Sequence, residues 1–303
     1  MKITLFLIGL FVISQLIGIG TVTKYIQVEK DVNGTITISH PATVIGEAPE
    51  VENKDYTFVM IFIAIIIGTL LVFVLIRFRA GFVWKYWYLI TVFLTLAVAL
   101  GVYMPGLLAV LAAIILAGLK VYRNNVYIHN LTEPFIYTGL TLIFIPILNL
   151  FSASILLIII AIYDAYAVWK SKHMVKLAKF QTEAKVFAGL FIPYDKKSRI
   201  LSSKKATGKK LVKKKGKSAI LGGGDIAFPL LFSGTVIEWL ILSQGMPKLY
   251  AFLLSCIIIV TTTLALSWLL FSSKEGKFYP AMPFISTGCF LGYGIIGLIL
   301  FFI

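Results

Sequence analysis

Histidine, cysteine and acidic residues are all scarce in this chain, which has 3, 2 and 13 of them in 303 positions. Each shortage excludes a chemistry. Cys256 and Cys289 lie in separate apolar stretches without C-x-x-C spacing, so neither a disulfide framework nor a zinc site is expected. His40, His129 and His173 fall in segments that read as connections, where they are expected to face water or headgroups. A membrane metalloprotease needs H-E-x-x-H, and a serine protease needs a histidine base beside its nucleophile. Neither can be assembled from these residues.

Apolar runs, by contrast, fill the sequence. Hydrophobic residues make up 59% and charged residues 14%, with a mean hydropathy of +0.95. This composition excludes a soluble domain and describes an all-α polytopic membrane protein. The charge is lopsided: 16 of the 28 Lys and Arg residues lie between Lys170 and Lys217. That run reads as a solvated cytoplasmic loop drawn to the anionic headgroups of membrane lipid. It lacks the interleaved aromatics of a nucleic-acid module, so no nucleic-acid partner is expected.

A spanning helix needs about 20 mainly apolar residues. Nine segments qualify: Ile3–Val22, Thr57–Phe78, Val83–Met104, Leu107–Tyr122, Glu133–Leu150, Ala153–Trp169, Leu221–Leu242, Leu249–Phe271 and Phe278–Ile303. The first is longer than the apolar core of a secretory signal and has no clear small-x-small cleavage site, so it reads as a retained helix. The acidic stretch after it contains Val32-Asn33-Gly34-Thr35, which reads as a hairpin turn and also holds a glycosylation sequon at Asn33. Within the basic loop, His173–Tyr194 is partly apolar and predicts a membrane-surface helix. There is no internal repeat. Residues 1–303 read as one domain, with helices 1–5 over 1–150 and helices 6–9 over 151–303, the basic loop occupying 171–217.

Orientation follows from positive charge, which accumulates on cytoplasmic connections. Placing Met1 inside puts Arg77, Arg79, Lys85, Lys120, Arg123, the basic loop, Lys274 and Lys277 inside as well. The acidic loop and the nearly uncharged connections then fall outside. The sequence therefore predicts a cytoplasmic amino terminus and an outer carboxy terminus.

Three acids lie within the apolar stretches: Asp164, Asp225 and Glu238. A carboxylate at the bilayer centre costs about 2.5–3.5 kcal/mol even on the insertion scale, which makes each a functional hypothesis. Asp164 lies six residues before Lys170, and Asp225 eight residues after Lys217. At 1.5 Å per residue both are roughly 10 Å deep from one face, on helices that can run antiparallel. Glu238 is 13 residues further along, about 20 Å away, and is expected to meet water or a polar helix contact near the outer interface. Two carboxylates that meet share one proton. The ionised partner can activate water, and the protonated one can polarise a carbonyl, with no metal or cofactor required.

The surroundings of the pair are distinctive. Gly222, Gly223 and Gly224 precede Asp225, remove side-chain bulk and disfavour helix, so the chain there is expected to be extended. Ser218 to Leu221, including Ile220, is then suited to pair with an unwound substrate as an added strand. Pro280-Ala281-Met282-Pro283 removes backbone donors at a helix entry. Irregular backbone at membrane depth is tolerated only where protein or a water-filled cavity surrounds it, so this element is expected to line a cavity.

Tyr163-Asp164, Gly222-x-Gly224-Asp225 and Pro280-Ala281-Met282 resemble the YD, GxGD and PAL motifs of the presenilin and signal peptide peptidase family of intramembrane aspartyl proteases. They stand in the family's order, on the sixth, seventh and ninth of nine helices. The resemblance implies that Asp164 and Asp225 are the catalytic pair and that Pro280, Ala281 and Met282 shape the site and hold substrate. It implies transmembrane helical peptides as partners, and leaves self-association into a homo-oligomer open. Met282 stands where the family usually has Leu, a volume-conserving change. The inside amino terminus resembles presenilin, while Ile226-Ala227-Phe228-Pro229 looks more like the peptidase branch, a mixture similar to the archaeal presenilin homologues. Three other readings stay open: a prepilin-type GxGD peptidase, a proton-coupled transporter using the three acids as a relay, and a catalytically silent scaffold.

Overall fold

The computed structural model describes residues 2–31, 35–123, 125–171, 187–193, 218–273 and 279–302. Among these, nine α-helices form: α1 Lys2–Tyr25, α2 Thr57–Arg77, α3 Gly81–Gly101, α4 Gly106–Tyr122, α5 Val126–Phe144, α6 Leu150–Tyr166, α7 Gly224–Gln244, α8 Lys248–Ser272 and α9 Met282–Phe302. Seven are long and apolar enough to cross a membrane. The fourth has 17 residues. The fifth carries His129, Asn130, Thr132 and Glu133 in its amino-terminal half.

Several helix boundaries differ from the sequence expectation by about a turn or more, and those of α5, α7 and α9 bear on the site. Helix α5 begins seven residues early, at Val126 rather than Glu133, because the Asn125 side chain accepts the Tyr127 N–H and caps it. It ends early as well, since Pro146 cannot continue the helical bonding. Helix α7 begins at Gly224 rather than Leu221, and α9 begins at Met282 rather than Phe278, with Pro283 in its first turn. Proline is tolerated there because first-turn amides have no partner within the helix.

Helix α7 is the hub. It is the most buried of the spans and packs against α1, α5, α6, α8 and α9. Helix α2 is at the other extreme: it is mostly exposed and is the most hydropathic span, the signature of a lipid-facing helix. Small residues set the closest approaches. A Cβ on Gly288 would meet the Thr262 Cα at 2.7 Å, and one on Gly292 would meet the Ile258 Cα at 2.7 Å. This spacing of four along α9 lets α8 and α9 pack backbone to backbone, the small-xxx-small device of membrane bundles. Gly139 plays the same part on α5, where a Cβ would strike the Thr95 carbonyl of α3.

Two short hairpins complete the architecture. β1 Gln27–Lys30 pairs antiparallel with β2 Ile36–Ser39, and the Asp31 N–H reaches the Thr35 carbonyl at 3.0 Å. The expected hairpin is therefore present, while its tip at 32–34, with the Asn33 sequon, lies outside the described residues. β3 Gly189–Pro193 pairs antiparallel with β4 Ser218–Gly222. The surface helix expected over His173–Tyr194 is thus contradicted at Gly189–Pro193, which is strand; 172–186 and 194–217 lie outside the described residues. The reason is register: Leu190 and Leu221 face each other and both are buried, so the pair gains a core that an isolated loop helix would not have.

The histidines also differ from expectation. His40 does not simply face water. Its Nε2 lies 2.5 Å from Glu238 Oε1, and its ring packs 5.9 Å from that of Tyr25. The segment after β2 thereby folds over the end of α7, and Glu238 meets a histidine of this connecting segment rather than water or another helix. His129 lies within α5, in a buried polar cluster. His173 lies outside the described residues.

Candidate active site

Asp164 is near the carboxy end of α6, where the helix widens into a π-helical turn over Ala167–Ser171. Such turns often mark functional positions because they redirect side chains and carbonyls. Asp164 is only 6% exposed, whereas its neighbour Tyr163 is 36% exposed. The Asp164 carboxylate is not left bare in its buried position. The Met282 N–H at the start of α9 donates to Oδ2 at 3.1 Å, and the Ala281 backbone bonds to the same group. The Pro280-Ala281-Met282 element therefore acts through its backbone. Pro280 and Met282 are buried, and Ala281 caps α9 by accepting from the Ile285 N–H at 3.0 Å. Unpaired amides at a helix start are natural partners for a carboxylate.

Asp225 is in the first turn of α7, directly after the β3–β4 hairpin. It lies close enough to Asp164 for that residue's charge to act on it. Its carboxylate also folds back on the Gly222 backbone, and a Cβ on Gly222 would lie 3.1 Å from Oδ2. Gly223 has a different constraint: a Cβ there would fall 2.6 Å from Tyr137 Oη. Gly224 is exposed and its added Cβ would meet only the Phe228 ring, at 3.6 Å. Of the three glycines, Gly223 is the most tightly held, against Tyr137 of α5, while Gly222 is in close contact with the carboxylate. Gly189, opposite Gly222, has φ +143°, and a Cβ would strike the Leu221 carbonyl. That conformation is open to glycine and strained for other residues.

The structure therefore brings together Asp164, Asp225, Gly222, Gly223, Leu221 and the Pro280-Ala281-Met282 element. Ile220 contributes through its backbone, in β4. Glu238 is remote, bonded to His40.

Several residues of the surrounding frame escaped the sequence reading. Glu133 is a fourth intramembrane acid, 1% exposed, and Lys120, taken from sequence as an inside-loop charge, is 6% exposed. Their side chains pair at 2.6 Å. Tyr137 stands beside Gly223 near Glu133, its hydroxyl buried without good hydrogen-bond geometry among the described residues. The available signal was helical spacing: His129, Glu133 and Tyr137 recur every four residues and so line one face of α5.

Comparison with known proteins gives the family and the fold. Residues 8–303 match a family described as signal-peptide peptidase, presenilin aspartyl protease. The fold is similar to that of a presenilin family intramembrane aspartate protease solved in two crystal forms. For the C222 form the TM-score is 0.61 at 16% identity, covering 98% of this chain and 99% of the other. For the P2 form the TM-score is 0.56 at 17% identity, covering 97% and 96%. No curated protein matches the chain.

Proposed function

Since the chain belongs to the signal-peptide peptidase and presenilin aspartyl protease family, and so is an intramembrane aspartic endopeptidase, we propose that Asp164 and Asp225 are its catalytic pair. The observation that carries this is their convergence: two carboxylates from α6 and α7 within electrostatic reach, one oriented by the start of α9 and the other by Gly222. The prepilin-type and transporter readings lose ground to the family match.

The chemistry needs only these groups. The ionised carboxylate takes a proton from water as the water oxygen attacks the scissile carbonyl carbon. The other carboxylic acid gives its proton to the carbonyl oxygen, forming a neutral tetrahedral diol. The carboxyl that took the water proton then gives it to the peptide nitrogen while its ionised partner takes a proton from a diol hydroxyl, so the C–N bond breaks, an acid and an amine leave, and the starting pair returns. The Met282 N–H holds Oδ2 of Asp164, and the Ala281 backbone adds a second bond that orients the same carboxylate for this exchange.

Family members act on transmembrane helices within the membrane. A helix conceals its peptide bonds in its own hydrogen bonds, so the substrate must unwind near the pair. Strand β4 ends at Gly222, three residues before Asp225, and supports the reading that unwound substrate adds to it. Charge placement supports a cytoplasmic amino terminus and an outer carboxy terminus, and the run of apolar helices supports a multi-pass protein, which we place in the cell membrane.

Two measurements test these assignments. A peptide carrying a secondary hydroxyl in place of the scissile carbonyl mimics the tetrahedral state and should stabilise the folded enzyme by about 2.7 kcal/mol at a hundred times its Kd. The thermal midpoint should rise with this ligand in the wild type and stay flat in Asp164→Ala and Asp225→Ala; an equal rise in either variant removes that residue from the site. For strand addition, Ile220→Pro should lower turnover of a reconstituted single-pass substrate by about tenfold, the value of a lost backbone bond plus the proline's steric conflict. Unchanged turnover in Ile220→Pro would sink the strand-addition reading.

A further inference from the structure

Antiparallel strands turn successive residues' backbone groups to opposite edges. In β3 and the residues before it, the odd-numbered positions face away from β4, and side chains meet three of them, Phe187, Gly189 and Phe191. Tyr88 Oη donates to the Phe187 carbonyl at 2.9 Å. His129 Nε2 lies 2.7 Å from the Gly189 carbonyl. Asn130 makes two bonds to Phe191: its Nδ2 donates to the carbonyl at 2.8 Å, and its Oδ1 accepts the N–H at 3.1 Å. Leu190 and Ile192 consequently pair inward with Leu221 and Ala219. The Gly223 N–H bonding to the Ala188 carbonyl at 3.3 Å continues that alternation. Side chains of α3 and α5, met at every second residue, thus stand where a third strand would.

The grip on Gly189 has its own support. The Lys120 ammonium is a donor only, so His129 Nδ1, 3.2 Å from it, accepts. His129 Nε2 then carries the hydrogen that it gives to the Gly189 carbonyl. The three ammonium hydrogens are shared among His129 Nδ1, Thr132 Oγ1 at 3.1 Å, the His129 carbonyl at 3.2 Å and Glu133 Oε1 at 2.6 Å, and that Glu133 oxygen also lies 3.3 Å from His129 Nε2, farther than the Gly189 carbonyl. A tautomer and a ring orientation are thereby fixed by an ion pair that touches neither β4 nor either aspartate.

By the same parity Ile220 and Gly222 turn their backbone groups to the outer edge of β4, where the Gly222 backbone already bonds to the Asp225 carboxylate and that of Ile220 is left for an incoming strand. We infer that Tyr88, His129 and Asn130, with His129 set by the Lys120–Glu133 pair, are positioning residues: they close the outer edge of β3, leave β4 as the edge open to an incoming strand, and hold the hairpin so that one substrate register faces Asp225. Unfilled strand edges invite pairing, so a sheet with two open edges would accept substrate in places where no carboxylate waits. The clamp rests on the strand-addition reading, and the two fail separately.

The test uses the full chain in lipid vesicles with a single-pass helical peptide, and reads product masses together with turnover per folded enzyme. Asn130→Leu keeps the side-chain volume and deletes both bonds to Phe191. Loss of these bonds should lower the ratio of the main product to products cut two residues away by about tenfold. A purely structural role for Asn130 would lower the folded fraction and leave that ratio unchanged. The paired replacement Lys120→Met with Glu133→Leu frees His129 from its donor without stranding a charge, and the same broadening is expected. An unchanged product ratio in both folded proteins overturns the clamp and leaves strand addition standing. Unchanged turnover in Ile220→Pro overturns strand addition itself.

Discussion

Asp164→Asn and Asp225→Asn are each expected to lower cleavage of a reconstituted single-pass substrate by about 10²–10⁴-fold, the range for loss of a positioned acid or base. The replacements are nearly isosteric, so the fold should persist. The Met282 N–H can still donate to the amide oxygen at position 164. The sharper expectation concerns the double variant. Two carboxylates that share a proton act as a unit, so removing both should cost little more than removing one. Turnover of the double variant should fall within a few-fold of the slower single variant. If the two losses instead multiply, the residues act independently and the dyad is wrong. Full activity in either single variant would exclude that residue altogether.

The largest expected effect on stability lies away from the aspartates. The Lys120 side chain is fully enclosed and that of Glu133 is 1% exposed. Breaking such a pair from one side leaves an uncompensated buried charge. Lys120→Met should therefore destabilise the protein by about 3–5 kcal/mol, measured as a lowered unfolding midpoint in micelles. Replacing both partners removes the stranded charge as well as the attraction. Lys120→Met with Glu133→Leu should thus recover most of the lost stability, because desolvating two charges offsets most of what their pairing returns. A single variant as stable as the wild type would show that the pair carries no net charge interaction. The comparison also matters for function, since the double variant keeps the bundle intact while releasing His129 from its donor.

The two hairpins show how unevenly the sequence disclosed this structure. Asn33-Gly34 between alternating residues was a local signal, and β1 and β2 formed around it. β3 had no comparable signal. Its partner lies across more than twenty intervening residues, and its outer edge is completed by Tyr88, His129 and Asn130 from helices remote in sequence. The glycines before Asp225 announced an extended chain only as far as Gly222, the last residue of β4; Gly223 has helical dihedrals as the cap of α7 and Gly224 is its first residue, because the start of α7 is fixed by packing against its neighbours. What each glycine must avoid, a carboxylate oxygen at Gly222 and a tyrosine hydroxyl at Gly223, depended on packing.

The sequence by itself determined the succession of apolar helices, the placing of Asp164 and Asp225 on two of them, and the irregular entry at Pro280. Those features follow from hydropathy, rise per residue and backbone chemistry, all of which act within one segment. Tertiary structure alone decided that the Met282 amide would hold Asp164 and that Glu133 was a buried ion-pair partner. It likewise decided that three side chains would close one edge of a two-stranded sheet. These depend on which helix faces which, and the faces are chosen by close contacts such as Gly139 against Thr95 and Gly288 against Thr262. In a bundle whose helices are nearly all apolar, hydropathy places each helix in the membrane but does not rotate it; small residues and buried polar bonds do.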